Sequence, residues 1–119
     1  MTEDGRPEMN TKDLIEKLEL KVLSRFEHRE ASGVFVSDML SDVMAGAKSG
    51  NLWVTVQTHK SIVPAANLVD VAAIIITSGK NVPQDTIDLA SKHGIALLAT
   101  PLPAFELICK LYALGLATK

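Results

Sequence analysis

The residues of this chain that could do chemistry lie where apolar runs give way to small polar residues. The clearest case is Val71–Lys80, in which a β-branched apolar run ends at Thr77, Ser78 and Gly79. An apolar run of this length, bounded by turn residues, is typical of a strand buried on both faces. The turn after it offers hydroxyls and backbone N–H groups without bulk, and such a turn can bind a small polar or anionic ligand.

Three further apolar runs end in the same way. The polar residues that follow them are, in chain order, Ser37, Asp38, Thr58, His59, Lys60 and Thr100. If the four strands are parallel, their exits share one edge of the sheet, and ligands of such sheets bind beyond the carboxyl ends of the strands. We therefore predict one ligand site, the strand-exit rim, formed by these six residues with Thr77, Ser78 and Gly79. The alternative is that the Ser and Thr residues only cap helices.

Titratable groups at this rim are few. His59 is suited to contact a phosphate or to carry a proton, but no nucleophile accompanies it. Asp38 and Asp42 are four residues apart and would share a helix face, which suits cation binding or acid–base chemistry. The alternative is one helix cap and one surface charge. We predict no catalytic residue, no metal site and no cofactor.

A phosphate-binding P-loop is excluded although Gly46–Ser49 resembles the end of one. The P-loop needs a glycine directly before its lysine and a helix that begins after it. Here Ala47 precedes Lys48, and the segment ends a predicted helix instead of starting one. A kinase activity that depends on this motif is therefore not expected.

The elements that must position the rim follow a regular alternation from residue 33 onward. Predicted strands cover 33–36, 52–57, 71–76 and 95–99, and predicted helices cover about 38–48, 61–68, 84–93 and 103–114. Ser37 or Asp38 is predicted to cap the first of these helices. Before residue 33 we predict a helix from Thr11, its cap, to about Leu18. For 21–26 we favour a strand over a continued helix.

This alternation predicts an α/β fold, with a mostly parallel central sheet of about four to five strands flanked by helices. The final helix is apolar almost all round, with Glu106 and Lys110 as its charges. A helix of this kind is covered on more than one side. The sheet can cover one side, and we predict that a second protomer covers the other, so that the chain forms a homodimer.

Composition narrows the class of protein further. The chain has 119 residues and a net charge of −2 without a basic run, which argues against nucleic-acid binding. Its one cysteine, Cys109, is predicted to be a small buried residue and is typical of a reducing cytoplasm. Residues 1–9 are charged, lack the apolar segment of a signal peptide and are predicted to be a disordered tail before a single domain over 10–119. No apolar run is long enough to span a membrane, so we expect a cytoplasmic protein.

Four stretches of the sequence resemble the DRTGG domain family: Ser37–Val54, Gln57–His59, Val71–Gly79 and His93–Thr100. The resemblance covers roughly residues 33–115. Such domains occur alone, fused to phosphotransacetylase, or between the regulatory CBS domains of some pyrophosphatases. The family is similar to the N-terminal domain of HPr kinase/phosphorylase, which is not the kinase domain of that protein.

The motif that names the family is only partly present. Its Asp-Arg pair falls near His59 and Lys60, and its Thr-Gly-Gly falls on Thr77, Ser78 and Gly79. Thr77 and Gly79 match, whereas the other three positions depart. Without the arginine the usual bidentate phosphate donor is missing, although Lys60 retains a charge.

The resemblance implies an α/β fold, dimers, and a regulatory or interaction role without catalysis. We therefore expect a non-catalytic regulatory module that dimerises and binds a small anionic ligand, such as a nucleotide, at the strand-exit rim. The alternative is a pure protein-interaction module that regulates a partner enzyme or kinase and binds no small molecule.

Overall fold

The structure, a computed structural model, describes residues 9–116, in which strands and helices alternate along most of the chain. In chain order its elements are β1 (Met9–Asn10), α1 (Thr11–Leu18), β2 (Lys21–Val22), β3 (Glu30–Ala31), β4 (Val34–Val36), α2 (Leu40–Gly46), β5 (Leu52–Thr55), α3 (Ile62–Val69), β6 (Ala73–Ile76), α4 (Gln84–Lys92), β7 (Leu97–Ala99) and α5 (Ala104–Ala113). The predicted tail lies outside the described residues except for Met9, which belongs to β1.

The main sheet has five strands in the order β2-β7-β6-β5-β4. Strands β4 to β7 are parallel, and β2 runs antiparallel to β7 along one margin. Strands β1 and β3 form a separate antiparallel pair. Helices between successive parallel strands return the chain to the same end of the sheet each time. The predicted α/β fold with a mostly parallel sheet is confirmed.

Alternate side chains of the central strands divide the core into two layers. Ile74 and Ile76 of β6 pack in one cluster with residues of α2, α3 and α4. Ala73 and Ile75 pack in the other cluster, which includes residues of α1 and α5. The sheet is therefore covered on both faces, which explains why its central strands have no polar alternation.

Helix α1 has a different cap from the one predicted. The Asn10 side chain accepts from the Asp13 N–H at 3.0 Å, and the Asp13 carboxylate accepts from the Asn10 N–H at 3.5 Å, which is a capping box. Thr11 is already inside the helix. Its hydroxyl accepts from the Arg29 N–H at 3.2 Å and lies 2.9 Å from His28 Nδ1. A contact eighteen residues away thus decides the role of Thr11.

The predicted start of α2 is also wrong. The helix begins at Leu40, with Met39 at the cap position and no side-chain hydrogen bond there. Ser37 Oγ accepts from the Met39 N–H at 3.1 Å, outside the helix, and Asp38 is engaged elsewhere. Since Asp38 precedes the helix, it does not share a helix face with Asp42.

At its other end α2 stops at Gly46, two residues before the predicted end. A Cβ at Gly46 would come within 2.9 Å of the Phe35 ring, so a side chain there requires the ring to move. Lys48 follows the end of this helix, as the rejection of a P-loop assumed. Met39, just before this helix, and Met44 within it are 59% and 47% exposed.

Strand β2 is shorter than predicted because a side chain replaces its backbone pairing. Ser24 Oγ donates to the Ile95 carbonyl at 2.7 Å and accepts from the Leu97 N–H at 2.8 Å. The last backbone hydrogen bond to β7 is therefore that of the Leu23 N–H to the Leu97 carbonyl, at 2.9 Å. Lys21–Val22 form a strand, as favoured, and the rest of 21–26 is neither strand nor a continuation of α1.

For α5, the predicted cover of one side of the helix by the sheet is confirmed. Leu107 and Leu111 are buried against the sheet, whereas Phe105 and Tyr112 are 77% and 66% exposed. Cys109 is exposed as well. Its predicted burial is wrong because it lies on the outward side of the helix. The second protomer predicted to cover that side stays a prediction.

The contribution of the buried central strand to the stability of the fold can be measured at Ile75. Replacing this fully buried side chain with alanine should lower the free energy of unfolding by about 2–5 kcal/mol, because it leaves a cavity. Urea denaturation measures the change. Leu68→Ala, at a position 73% exposed on α3, is the control and should change stability by no more than about 0.5 kcal/mol. Equal effects would contradict this account of the core.

An ion pair joins three segments on the opposite side from the strand exits. Arg29 donates to both Asp70 carboxylate oxygens, at 2.7 and 3.2 Å, and Ser49 Oγ also donates to Asp70. These hydrogen bonds, that of Arg29 first and that of Ser49 second, hold the pKa of Asp70 below its ordinary value. Asp70 itself has a left-handed φ of 66° at the end of α3.

Asp70→Asn keeps a side chain that tolerates this backbone but removes the charge. A pKa that is lowered by folding means that ionised Asp70 stabilises the fold above the carboxyl's unfolded pKa, and that this contribution is lost as pH falls through the folded pKa. The variant should be less stable at pH 7 by up to about 1 kcal/mol, given the exposure of the pair. The difference should shrink in acid. Urea denaturation at several pH values measures it, and a difference independent of pH would contradict the assignment.

Candidate functional site

Because β4 to β7 are parallel, their exits do lie along one edge of the sheet. This strand-exit rim has two halves, although the hydrogen bond from the Thr77 N–H to the Thr55 carbonyl continues the sheet between them. One half joins the ends of β4 and β5, and the other joins the ends of β6 and β7. The His59 segment, which leads from β5 to α3, faces α4.

At the β4–β5 half, Asp38 ties the two strands together. Its Oδ1 accepts from Thr55 Oγ1 at 2.8 Å and from the Val56 N–H at 3.0 Å, and Gln57 Nε2 donates to its backbone carbonyl at 2.9 Å. The Ser37 carbonyl accepts from the indole N–H of Trp53. Neither Ser37 nor Asp38 lines either of the two cavities at this edge.

His59 lies in a groove between the start of α3 and the length of α4. Its Nδ1 accepts from the Ser61 N–H at 3.1 Å, so the proton of the neutral ring is on Nε2. Thr58 is held by its carbonyl, which accepts from the buried Thr86 Oγ1 at 2.8 Å. The groove, of about 550 Å³, is lined by His59, Lys60, Ser61, Pro64, Asp85, Asp88, Leu89 and Lys92. Two lysines and two aspartates leave this α3–α4 groove with balanced formal charge.

The turn at Thr77, Ser78 and Gly79 does not have the free N–H groups that the sequence predicted. The Thr77 N–H donates to the Thr55 carbonyl at 3.0 Å, that of Ser78 to Leu102 at 2.8 Å, and that of Gly79 to Thr100 at 3.1 Å. All three donors are therefore used inside the protein. The Thr77 hydroxyl is fully buried and has no hydrogen-bond partner among the described residues.

Two consecutive residues of this turn have a left-handed backbone. Ser78 has a φ of 64° and Gly79 a φ of 65°. Glycine adopts this conformation freely, whereas a side chain is strained there by about 1–2 kcal/mol. The Gly-Gly of the family motif suits such a backbone at both positions, and Ser78 is the strained departure from it.

A pair of substitutions tests this geometry. Gly79→Ala should lower the free energy of unfolding by about 1 kcal/mol through conformational strain alone, since the nearest atom to the new Cβ, Pro101 Cα, is 3.9 Å away. Ser78→Gly should not lower it, because relief of strain offsets the greater freedom of the unfolded chain. Thermal unfolding measures both. A destabilised Ser78→Gly with an unchanged Gly79→Ala would contradict the assignment.

Beside this turn a cavity of about 510 Å³ opens between the connection from β6 to α4 and the connection from β7 to α5. It is lined by Lys21, Leu23, Gly79, Lys80, Asn81, Val82, Ile87, Ala99, Thr100 and Pro101, which together form the β6–β7 crevice. Helices α4 and α5 lie on opposite faces of the sheet, so the two connections diverge. Crevices outside the carboxyl ends of strands form at such points.

The crevice has positive formal charge. Lys21 comes from β2, opposite Ala99 of β7, and Lys80 follows the turn; within residues 9–116, no Asp or Glu side chain lines the cavity. The Asn81 amide adds polar groups, while Leu23, Val82 and Ile87 form an apolar wall. A small anion with an apolar part fits this lining chemically.

Of the nine predicted rim residues, only Gly79 and Thr100 line the β6–β7 crevice. Lys80 and Asn81 were missed, although they directly follow the predicted turn. The sequence around Lys21 does not indicate that it lies near the strand exits, because only the long-range pairing of β2 with β7 brings it to the crevice. His59 and Lys60 line the α3–α4 groove instead.

The fold and the crevice define an α/β domain of the kind that places ligands at the carboxyl edge of its sheet. Residues 13–114 match the DRTGG domain, and the chain belongs to the DRTGG domain family. The resemblance predicted from the sequence is thus confirmed. The comparison with curated proteins finds no match.

Among solved structures, the chain is similar to the CBS and DRTGG domains of the regulatory region of Clostridium perfringens pyrophosphatase, complexed with the activator diadenosine tetraphosphate. The TM-score is 0.71 at 21% identity, and the match covers 90% of this chain and 47% of that one. This likeness supports the fold. The present chain spans about half the length of that solved chain.

Two structural features are absent from residues 9–116. None of the helices in that range is long and apolar enough to cross a membrane. Within the same range, no three His, Cys, Asp or Glu side chains are grouped so that they could hold a metal ion.

Proposed function

We propose that this chain is a regulatory module, without catalysis of its own, that binds a small anionic ligand in the β6–β7 crevice and pairs with a second copy of itself. The observation that supports it most is the crevice, where Lys21 and Lys80 line a cavity to which the described part of the chain contributes no carboxylate side chain. We place the protein in the cytoplasm, because its one cysteine suits a reducing compartment.

Charge favours the crevice over the α3–α4 groove. Two ammonium groups can balance a phosphate at the crevice, whereas Asp85 and Asp88 would repel it at the groove. The proposal thus keeps Gly79 and Thr100 of the strand-exit rim and leaves Asp38 a structural role.

Size and lining favour a nucleotide within the class of small anions. A volume of about 510 Å³ lies in the range of small-molecule sites. Lys21 and Lys80 would meet the phosphate, and Leu23, Val82 and Ile87 would face the base or sugar. The similar pyrophosphatase region is complexed with diadenosine tetraphosphate, which makes adenine nucleotides the first probes.

The test is a titration of the purified chain with AMP, ATP, diadenosine tetraphosphate and inorganic phosphate. Binding is measured by isothermal titration calorimetry and by the change in melting temperature. A ligand that binds the native state raises the melting temperature by mass action. Lys21→Ala and Lys80→Ala should each weaken binding about tenfold, which corresponds to the loss of one charge-assisted hydrogen bond. Lys60→Ala, which removes a lysine of the groove, is the matched control and should bind as the wild type does.

The outcomes separate the alternatives. Weaker binding of Lys60→Ala alone would move the site to the α3–α4 groove, and no binding of any probe would contradict the ligand proposal. Phosphorus NMR of the same samples detects any conversion of ATP, and such conversion would contradict the non-catalytic proposal.

A second candidate function, docking of a partner protein, is favoured by the margin of the sheet at β4. Val36 of this edge strand is 50% exposed, and Met39 and Met44, at the start of and within the helix that follows the strand, are 59% and 47% exposed. Exposed apolar side chains beside an edge strand are typical of protein-interaction surfaces. This candidate would remain if no small anion binds.

A further inference from the structure

The outward side of α5 carries an apolar stripe. Phe105, Cys109 and Tyr112 are spaced i, i+4 and i+7, which places them on one face of the helix. Phe105 and Tyr112 are 77% and 66% exposed, and Cys109 is exposed. Leu107 and Leu111 bury the opposite face, so the stripe does not belong to the core of its own chain.

The charges of α5 flank this stripe on one side. Glu106 and Lys110 are the charged residues of the helix, both are exposed, and they are separated by one turn. Helical geometry of 100° per residue puts them on the same flank of the stripe. In an antiparallel helix pair, each flank meets the same flank of the other helix.

The aromatic and the charged residues of α5 are placed symmetrically about a point close to Ile108 and Cys109, so that the helix is complementary to an antiparallel copy of itself. Phe105 and Tyr112 are equally far from the midpoint between Ile108 and Cys109, and Glu106 and Lys110 are equally far from Ile108. An antiparallel copy of α5 therefore brings Phe105 against Tyr112 and Glu106 against Lys110, each twice. Isologous contacts of this kind are what a two-fold dimer requires.

We propose that two copies of the chain pair through α5, antiparallel, about a two-fold axis near Cys109. This inference rests on the dimer of the proposed function and defines its interface. The partner that covers the stripe is a second copy of the chain, because one symmetric arrangement gives both the aromatic contacts and the opposite-charge contacts. A helix pair alone buries less than the roughly 800 Å² per partner of a standard interface, so association should depend on concentration in the micromolar range.

Charge reversal on the flank tests the arrangement by sedimentation velocity over a concentration series. Glu106→Lys puts two lysines together at each of the two contacts, and Lys110→Glu puts two glutamates together. Each variant alone should raise the dimer dissociation constant about tenfold. An equimolar mixture of the two variants should recover wild-type association, because each mixed dimer regains two opposite-charge contacts. Circular dichroism checks that both exposed substitutions leave the fold intact.

Cross-linking at Cys109 gives an independent test. Diamide takes two electrons and two protons from two thiols, forms a disulfide and becomes the hydrazine. A pair of Cys109 thiols near the axis should react at least about tenfold faster than thiols that meet by collision. The control is the double variant Cys109→Ser with Leu68→Cys, which moves the single thiol to an exposed site on α3.

The results distinguish this inference from the proposed function. A dimer that resists both charge reversals and cross-links no faster than the control would use another surface, which overturns the α5 arrangement alone. A monomer at every concentration would overturn dimerisation altogether. Neither result changes the ligand titration of the β6–β7 crevice.

Discussion

The constraint on which this structure depends is that its central strand is buried on both faces. All four residues of β6, Ala73–Ile76, are fully buried between the helices of the two layers. A strand enclosed in this way has no surface for polar groups along its length. Ligand-binding groups can therefore be placed only at its ends, where the chain leaves the sheet.

The same constraint determines which exit is open. Helix α4 returns to one layer and α5 to the other, so the connections after β6 and β7 separate and leave a crevice between them. At the ends of β4 and β5 the two connections are held together by hydrogen bonds to the Asp38 carboxylate. A common rim in the topology thus becomes two separate cavities in three dimensions.

The crevice and α5 are linked by a short stretch of chain. Thr100 and Pro101 line the crevice, and α5 begins at Ala104. The same stretch accepts the N–H groups of Ser78 and Gly79 through the carbonyls of Leu102 and Thr100. A ligand in the crevice and a partner on α5 would therefore act on adjoining segments, an arrangement suited to a regulatory module.

The sequence by itself determined the order of strands and helices, the mostly parallel sheet and the family, because apolar periodicity and turn residues are local signals. The tertiary structure alone decided which residues line the β6–β7 crevice. The N–H groups of the Thr77 turn are consumed by Thr55, Thr100 and Leu102, which are distant in sequence, and Lys21 reaches the crevice only through the pairing of β2 with β7. Hydrogen-bond partners and cavity linings depend on which segments meet in space, and local periodicity does not contain that information.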